Sequence, residues 1–389
     1  MVSPEVAKAK KENFIKTWNR EPHDHVPIMA RCGTALLDYA GTNLWETRFD
    51  KEKFRKALCK AYEDGLPVDC LSSAGISITP ETTDLFHGCV QTKLHSDGIT
   101  LEHQQQSFME ADEYPNVIED VDYHLKNVMI RRKMPFLFEG TVEEAAKVLE
   151  ESINLRIRTA KGPTSGLAQM FAEEYGAYTF GDGRFMFTTP GDVIFDNFRG
   201  FKGTLTDLRR HYEEMEQFCD VLWEKGYARS FEGAKLNPYT TSLYMSHIPA
   251  FLNPKQFDEL CFKYMKIQVG NLVKGGGRLY ILAEGSFKNI FQFFRDLPKD
   301  SLLINVENDD VCDAYKVIGD CQILIGGSRL LNTKMSPLEE NINLIKKAID
   351  TCAPGNAFMF GSDKSWCCKG DVTPTLVETF KVAAEYGKY

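Results

Sequence analysis

From residue 254 to residue 361 the sequence repeats one unit, a short and almost unbroken apolar run followed by an amphipathic stretch. Pro254 opens a helix over 254–273, and Gly275-Gly276-Gly277 ends it. A strand over 278–283, a helix over 287–294, a strand over 301–306, a helix over 310–319 and a strand over 321–325 follow. After Pro337 a helix runs to about residue 351, and 357–360 is a further short strand. Apolar runs that do not alternate with polar residues belong to strands buried on both faces, as in parallel sheets covered by helices. The period of about 20–25 residues leaves no room for a domain between strands. The pattern predicts an α/β chain forming one (β/α)₈ barrel of the TIM type over 1–389, rather than an open doubly wound sheet. No Gly-x-Gly-x-x-Gly follows the first strand, and there is no Walker-type Gly-Lys-Ser/Thr.

The first half fits the same scheme less completely. A charged N-terminal helical extension precedes a strand over 26–30, a helix over 50–64 and a strand over 67–71. In that helix Phe54, Leu58 and Tyr62 recur on one face. Residues 86–106 read as an antiparallel hairpin insertion, turning at Ser96-Asp97-Gly98. A helix over 141–161 places Glu143-Glu144 at its positive end. Residues 162–245 carry the weakest pattern.

Composition narrows the function classes. With 389 residues, 43% apolar and 26% charged, the chain is ordinary globular material. A net charge of −9 and the lack of any run of five or six Lys/Arg argue against nucleic acid as a partner. The densest basic run, Arg131-Arg132-Lys133, reads as the end of an exposed helix. No apolar stretch approaches the ~18 residues that a membrane span needs. The polar, charged residues 1–20 do not resemble a secretion signal, so the eleven cysteines are expected to be reduced thiols in a cytoplasm. Cys70, Cys261 and Cys321, inside apolar runs, are expected to be core fillers. A homo-oligomer is compatible with all of this.

In a barrel the active site lies where the strands end at their C-termini. The strand over 278–283 ends in Glu284-Gly285, and the strand over 301–306 ends in Glu307. Two carboxylates at equivalent positions of successive strands point to one mouth; the alternative is that they are loop acids or helix caps. Gly285 lets backbone approach whatever Glu284 binds. The segment after the last strand carries Cys367-Cys368; either one of the two turns inward as a thiolate or both are incidental loop thiols. Glu284, Glu307 and one of Cys367 or Cys368 would offer oxygen and sulfur donors. Zinc accepts both and needs three protein ligands plus an open position in a catalytic site. His247, beyond a likely strand end, is placed for general acid work or for a structural hydrogen bond. His23 and His25 precede the first strand and are expected at the opposite, structural end.

Several segments in order resemble the uroporphyrinogen decarboxylase superfamily: Arg20-Glu21-Pro22 before Val26-Pro27, Pro190 with Phe198-Arg199-Gly200-Phe201-Lys202-Gly203 and Asp207, Phe251-Leu252-Asn253-Pro254-Lys255-Gln256-Phe257, Glu284-Gly285, and Gly361 with Cys367-Cys368 and Pro374. The Arg-rich segment that true decarboxylases carry after the first strand is missing; here that strand ends in Arg31-Cys32-Gly33. The corrinoid-dependent methyltransferase branch holds zinc with His-x-Cys after one strand and a Cys near the C-terminus. At the His-x-Cys positions this chain has Leu282-Ala283-Glu284, and Cys367 or Cys368 matches the C-terminal cysteine. Carboxylates in place of thiolate leave zinc a harder Lewis acid, suited to oxygen. The resemblance therefore implies an O-demethylase-like methyltransferase. It would move methyl from a methoxylated, aromatic donor to the Co(I) of a corrinoid (cobalamin) carried by a partner protein. The alternatives are methanol, a methylamine or a thiol as co-substrate, a metal-free decarboxylase-like enzyme, and a binding barrel without activity.

Overall fold

The computed structural model describes residues 2–79, 92–104 and 106–388. Among these residues eight parallel strands form the barrel: β1 (Ile28–Ala30), β2 (Cys70–Leu71), β3 in two pieces (Tyr178–Thr179 and Gly181–Met186), β4 (Thr241–Met245), β5 (Arg278–Ala283), β6 (Leu302–Val306), β7 (Ile323–Ser328) and β8 (Phe358–Ser362). Each pairs with the next, and β8 pairs with β1. The first piece of β3 pairs with β2 and the second with β4, so the ring closes at Phe180 between them. Its N–H donates to the Leu71 carbonyl at 3.0 Å, and its own carbonyl accepts from Thr241 N–H at 2.8 Å.

The continuous apolar runs are explained by two cores. Met29, Phe180, Tyr280, Leu303, Ile325 and Met359 point inward and fill the barrel. Their neighbours Ile28, Leu279, Ile281, Ile304 and Phe360 point outward against the helices. The N-terminal helix Pro4–Trp18 closes the bottom, with Phe14 stacked on Phe180 at 5.2 Å and Trp18 edge-on to Phe14. At that same end His25 is held by Asp69 at 3.1 Å, a structural place. Cys70 and Cys261 are buried, and Cys321 is half-buried against the outer core.

The helix over 50–64 forms as Lys51–Glu63, because Asp50 accepts the Lys53 N–H as its cap. The helix over 141–161 forms as Val142–Ala160, with a reciprocal Thr141–Glu144 capping box. The hairpin pairs Thr92–Leu94 with Leu101–His103, while 86–91 and 105 of that segment lie outside the described residues. The basic run ends the exposed helix Ile130–Lys133.

Three expectations shift. The helix over 287–294 is a 3₁₀ turn, Phe291–Asp296. Asp309 ties down Ser286 Oγ and Phe287 N, each at 2.6 Å, and Pro298 keeps Leu297 extended. The strand over 321–325 begins two residues later and runs on through Gly326-Gly327-Ser328, because these residues pair with Phe360-Gly361-Ser362. Sheet pairing, not apolarity, extends it. Strand β3, through Gly181-Asp182-Gly183-Arg184, lies in the segment with the weakest pattern, since its residue types are not those of a buried strand.

Beside the barrel, Arg199 and Asp207 form a buried pair. Nε sits 2.5 Å from Oδ2 and Nη2 3.1 Å from Oδ1, and Tyr114 Oη donates to the same carboxylate at 2.9 Å. Asp207→Ala leaves a buried guanidinium without a counter-ion, so unfolding in urea is expected to show a loss of about 3–5 kcal/mol. A loss under ~1 kcal/mol, the surface-pair range, would show that water replaces the carboxylate.

Candidate active site at the barrel mouth

The loop carrying the thiols is fixed from three sides. Gly33 follows β1 so closely that a Cβ there would lie 2.0 Å from the Trp366 carbonyl oxygen, and Ala35 N–H donates to that oxygen at 3.1 Å. From the hairpin, Leu101 N–H donates to the Cys367 carbonyl at 3.2 Å, and Thr100 Oγ1 accepts from Lys369 N–H at 3.2 Å. From below, Asp371 Oδ2 accepts the N–H groups of Cys367 and Cys368 at 3.0 and 2.7 Å, while its Oδ1 pairs with Lys334 at 2.5 Å.

Both strand-end carboxylates and both thiols line one cavity of about 500 Å³. Glu284, Glu307, Cys367 and Cys368 therefore share the mouth, as the strand-end argument expects. Within it they keep different company. Glu307 Oε2 accepts the Gly285 N–H at 2.9 Å, and Oε1 pairs with Lys364 at 2.7 Å. Glu284 faces His247, Oε2 to Nε2 at 3.6 Å. Among the described residues, the ligand atoms that gather within 4.8 Å of one another belong to Cys367, Cys368 and Asp371. Asp371 was not among the residues that strand ends or the resemblance brought forward; it follows Cys368 by three residues and draws attention only once the loop has folded.

Burial pushes the Cys367 thiol up to about 12, with the neighbouring Cys368 and Asp371 adding to the rise and Arg31 opposing it. Burial and Asp371 raise Cys368 as well. A pair of thiols so placed gives up its protons readily only to a cation. In donor chemistry the group fits zinc, with two sulfurs and one carboxylate in reach and an open cavity beyond. At the floor, Arg31 lies two residues past inward-facing Met29. It is buried and donates from Nη2 to Asn305 Oδ1 at 2.8 Å.

His247 stands just beyond β4. Asp192, fully buried, holds the turn: its Oδ1 accepts the N–H groups of His247 and Ile248 at 3.0 and 3.1 Å, and its Oδ2 accepts from Thr189 at 2.6 Å and from Tyr244. Asp196, one helical turn further on, accepts from His247 Nδ1 at 2.7 Å and thereby turns Nε2 toward Glu284. Thr189-Pro190-Gly191-Asp192 is a helix-start signal that the sequence displays, and Asp196 at four residues beyond Asp192 is the same helical face. Both could have been found there.

Burial opposes charge on His247, but the Asp196 hydrogen bond and the charges of Asp196, Glu284 and Asp192 outweigh it and raise the pKa to about 9. Glu284 is raised by burial first, with His247 pulling it back and Glu307 pushing it up.

The fold and the mouth define a TIM-type α/β barrel with a thiol–carboxylate–imidazole site. The chain is similar in fold to a methyltransferase from Methanosarcina mazei, at 16% identity over 97% of each chain and a TM-score of 0.54. No family model and no curated protein matches it. Among the described residues no helix is long and apolar enough to cross a membrane.

His247 is expected to titrate near pH 9 by NMR, and Asp196→Asn should bring it down toward its ordinary value. Because the folded pKa is raised, the stability this pair contributes is complete below about 6.5 and is lost as pH rises through about 9. An unchanged titration in Asp196→Asn would show that Glu284 and Asp192 alone hold the proton.

Proposed function

We propose that the protein is a zinc-dependent methyltransferase that removes methyl from a methoxylated aromatic donor and passes it to a corrinoid on a partner protein. One observation carries the reading: a vicinal thiol pair, two strand-end carboxylates and the Asp196–His247 pair converge at the mouth of one barrel. The fold neighbour, itself a methyltransferase, agrees with this class of reaction. Cys367 and Cys368 would hold the zinc with Asp371 as the nearest oxygen donor, while Glu284 and Glu307 line the same cavity.

Zinc held there would supply Lewis-acid charge for an ether oxygen, and Co(I) in the corrinoid would supply the nucleophile for the methyl carbon. The chain's own residues do the rest. His247, held charged by Asp196 with Nε2 turned toward Glu284 in the cavity wall, delivers the proton that a leaving phenolate takes up. Lys364 neutralises Glu307, so the carboxylates do not repel the phenolate as fully as their number suggests. Phenolate leaves more readily than alkoxide, which favours aryl methyl ethers over methanol.

Mixing the protein with reduced cobalamin and a panel of methyl donors tests this. Formation of methyl-cobalamin from methoxybenzenes, abolished by a chelator, is the expected outcome. Activity with methanol or methylamines alone would redirect the substrate, and none with any donor would leave a decarboxylase-like enzyme or a binding barrel. Elemental analysis of the variants assigns the ligands. Cys367→Ser and Cys368→Ser are expected to lose zinc and Glu284→Ala to keep it. Loss of zinc in Glu284→Ala, with retention in the serine variants, would move the site to the strand-end carboxylates.

A further inference from the structure

A second cavity, of about 620 Å³, lies beside the mouth at the ends of β3 and β4, and His247 and Asp196 form part of its wall. The thiol cavity has Glu284 in its wall, 3.6 Å from His247, so the two spaces meet at this ion pair. The volume falls in the range of about 300–1,000 Å³ common to small-molecule sites.

Its lining is apolar and adaptable: Met129, Met134, Met186, Phe187, Phe198 and Met245. Met186 is 49% exposed and Met245 40% exposed, although both end strands of the barrel. Apolar side chains left open together at a concave place mark a surface that a ligand covers. Thioethers lie well against aromatic rings and repack around them.

Two turns of π-helix, Leu125–Met129 and Ile194–Arg199, face each other across the cavity. The wide turn is costly and concentrates at functional sites. Here one presents Met129 and Lys126, and the other presents Asp196 and Phe198. At the cavity's edge stand Lys126 and Lys133, neither of which has an ion pair among the described residues. Lys133 instead lies 5.4 Å from the Phe108 ring centre.

We propose that this cavity is the donor site. An aryl methyl ether bearing an acidic substituent would bind with its ring among the methionines. Its ether oxygen would lie at the His247–Glu284 junction and its acidic group toward Lys126 and Lys133. This rests on the methyltransferase reading and adds to it the place and the chemical class of the donor. The ring is held outside the thiol cavity, which leaves that cavity free for the methyl acceptor to approach.

Calorimetric titration with 4-methoxybenzoate and with 4-methoxybenzyl alcohol tests the site without relying on turnover. Met186→Trp and Met245→Trp fill the cavity from exposed positions, and each is expected to weaken binding of both compounds ~10-fold or more, as the loss of one ring-sized contact implies. The Lys126→Gln/Lys133→Gln double variant is expected to weaken 4-methoxybenzoate by about 2–5-fold and to leave the alcohol unaffected, the size of an exposed ion pair. Melting temperatures confirm that each variant is folded, and the lysine pair lies outside the core if a tryptophan variant is not. Undiminished binding in both tryptophan variants, equal loss of acid and alcohol in the lysine variant, or no binding of either compound would each overturn the proposal. Methyl transfer at undiminished kcat/KM in both tryptophan variants would remove the donor from this cavity and leave the methyltransferase reading intact. Binding here without methylation of reduced cobalamin would remove that reading and keep the site.

Discussion

At Phe180 a single residue joins the two ends of the sheet, its N–H bonded to β2 and its carbonyl to β4. Without the pairing of β3 to β2 on one side and to β4 on the other, the strands would form an open sheet with two edges. With it, every strand has two neighbours and an interior facing a common axis. The side chain continues the work inward, since Phe180 stacks on Phe14 and meets Tyr280 edge-on at 5.4 Å. The bottom of the barrel is thereby packed shut by the N-terminal helix, and the polar residues that follow the strands are left at the other end.

That polarity of the barrel sets the chemistry. One layer above the apolar plug two inward side chains change character: Arg31 follows Met29, and Asn305 follows Leu303. Past them β4, β5, β6 and the loop after β8 bring His247, Glu284, Glu307 and the two thiols to the mouth. Neighbouring charges there do not cancel at random. Lys364 takes Glu307, Lys334 takes Asp371, and His247 lies between Asp196 and Glu284. What is left is an imidazole facing one cavity, whose proton Asp196 and Glu284 favour against burial, and a thiol pair facing another, whose protons burial favours.

The two π turns beside the mouth have a related cause. Residues Ile194–Arg199 must bring Asp196 to His247 while Phe198 packs against Phe218 at 4.9 Å and Arg199 reaches Asp207. An ordinary turn spaces residues too tightly to serve all three directions, and one extra residue per turn relieves this. The helix Leu125–Met129 opposite is widened in the same manner and leaves the methionine-lined space between them.

The sequence by itself determined the repeating strand–helix order of the C-terminal half, because strands buried on both faces must be apolar throughout. It also determined the capped helices at Asp50 and Thr141, since a cap is a local bond between residues three apart. It placed Glu284, Glu307 and His247 at or near strand ends and Cys367 and Cys368 in the segment after the last strand, and these do share the mouth region. Strand β3 was not legible, because its place depends on backbone pairing with β2 and β4 and its glycines and charges give no periodicity. The company of each site residue was decided only by the tertiary structure. Asp196 meets His247 across 51 positions, and Lys364 meets Glu307 across two β–α units. The thiols meet Asp371 within their own loop, three and four residues on, but Gly33 and the hairpin are what bring that loop to the mouth. The long-range contacts among these are made by the closing of the ring, and no spacing along the chain encodes them.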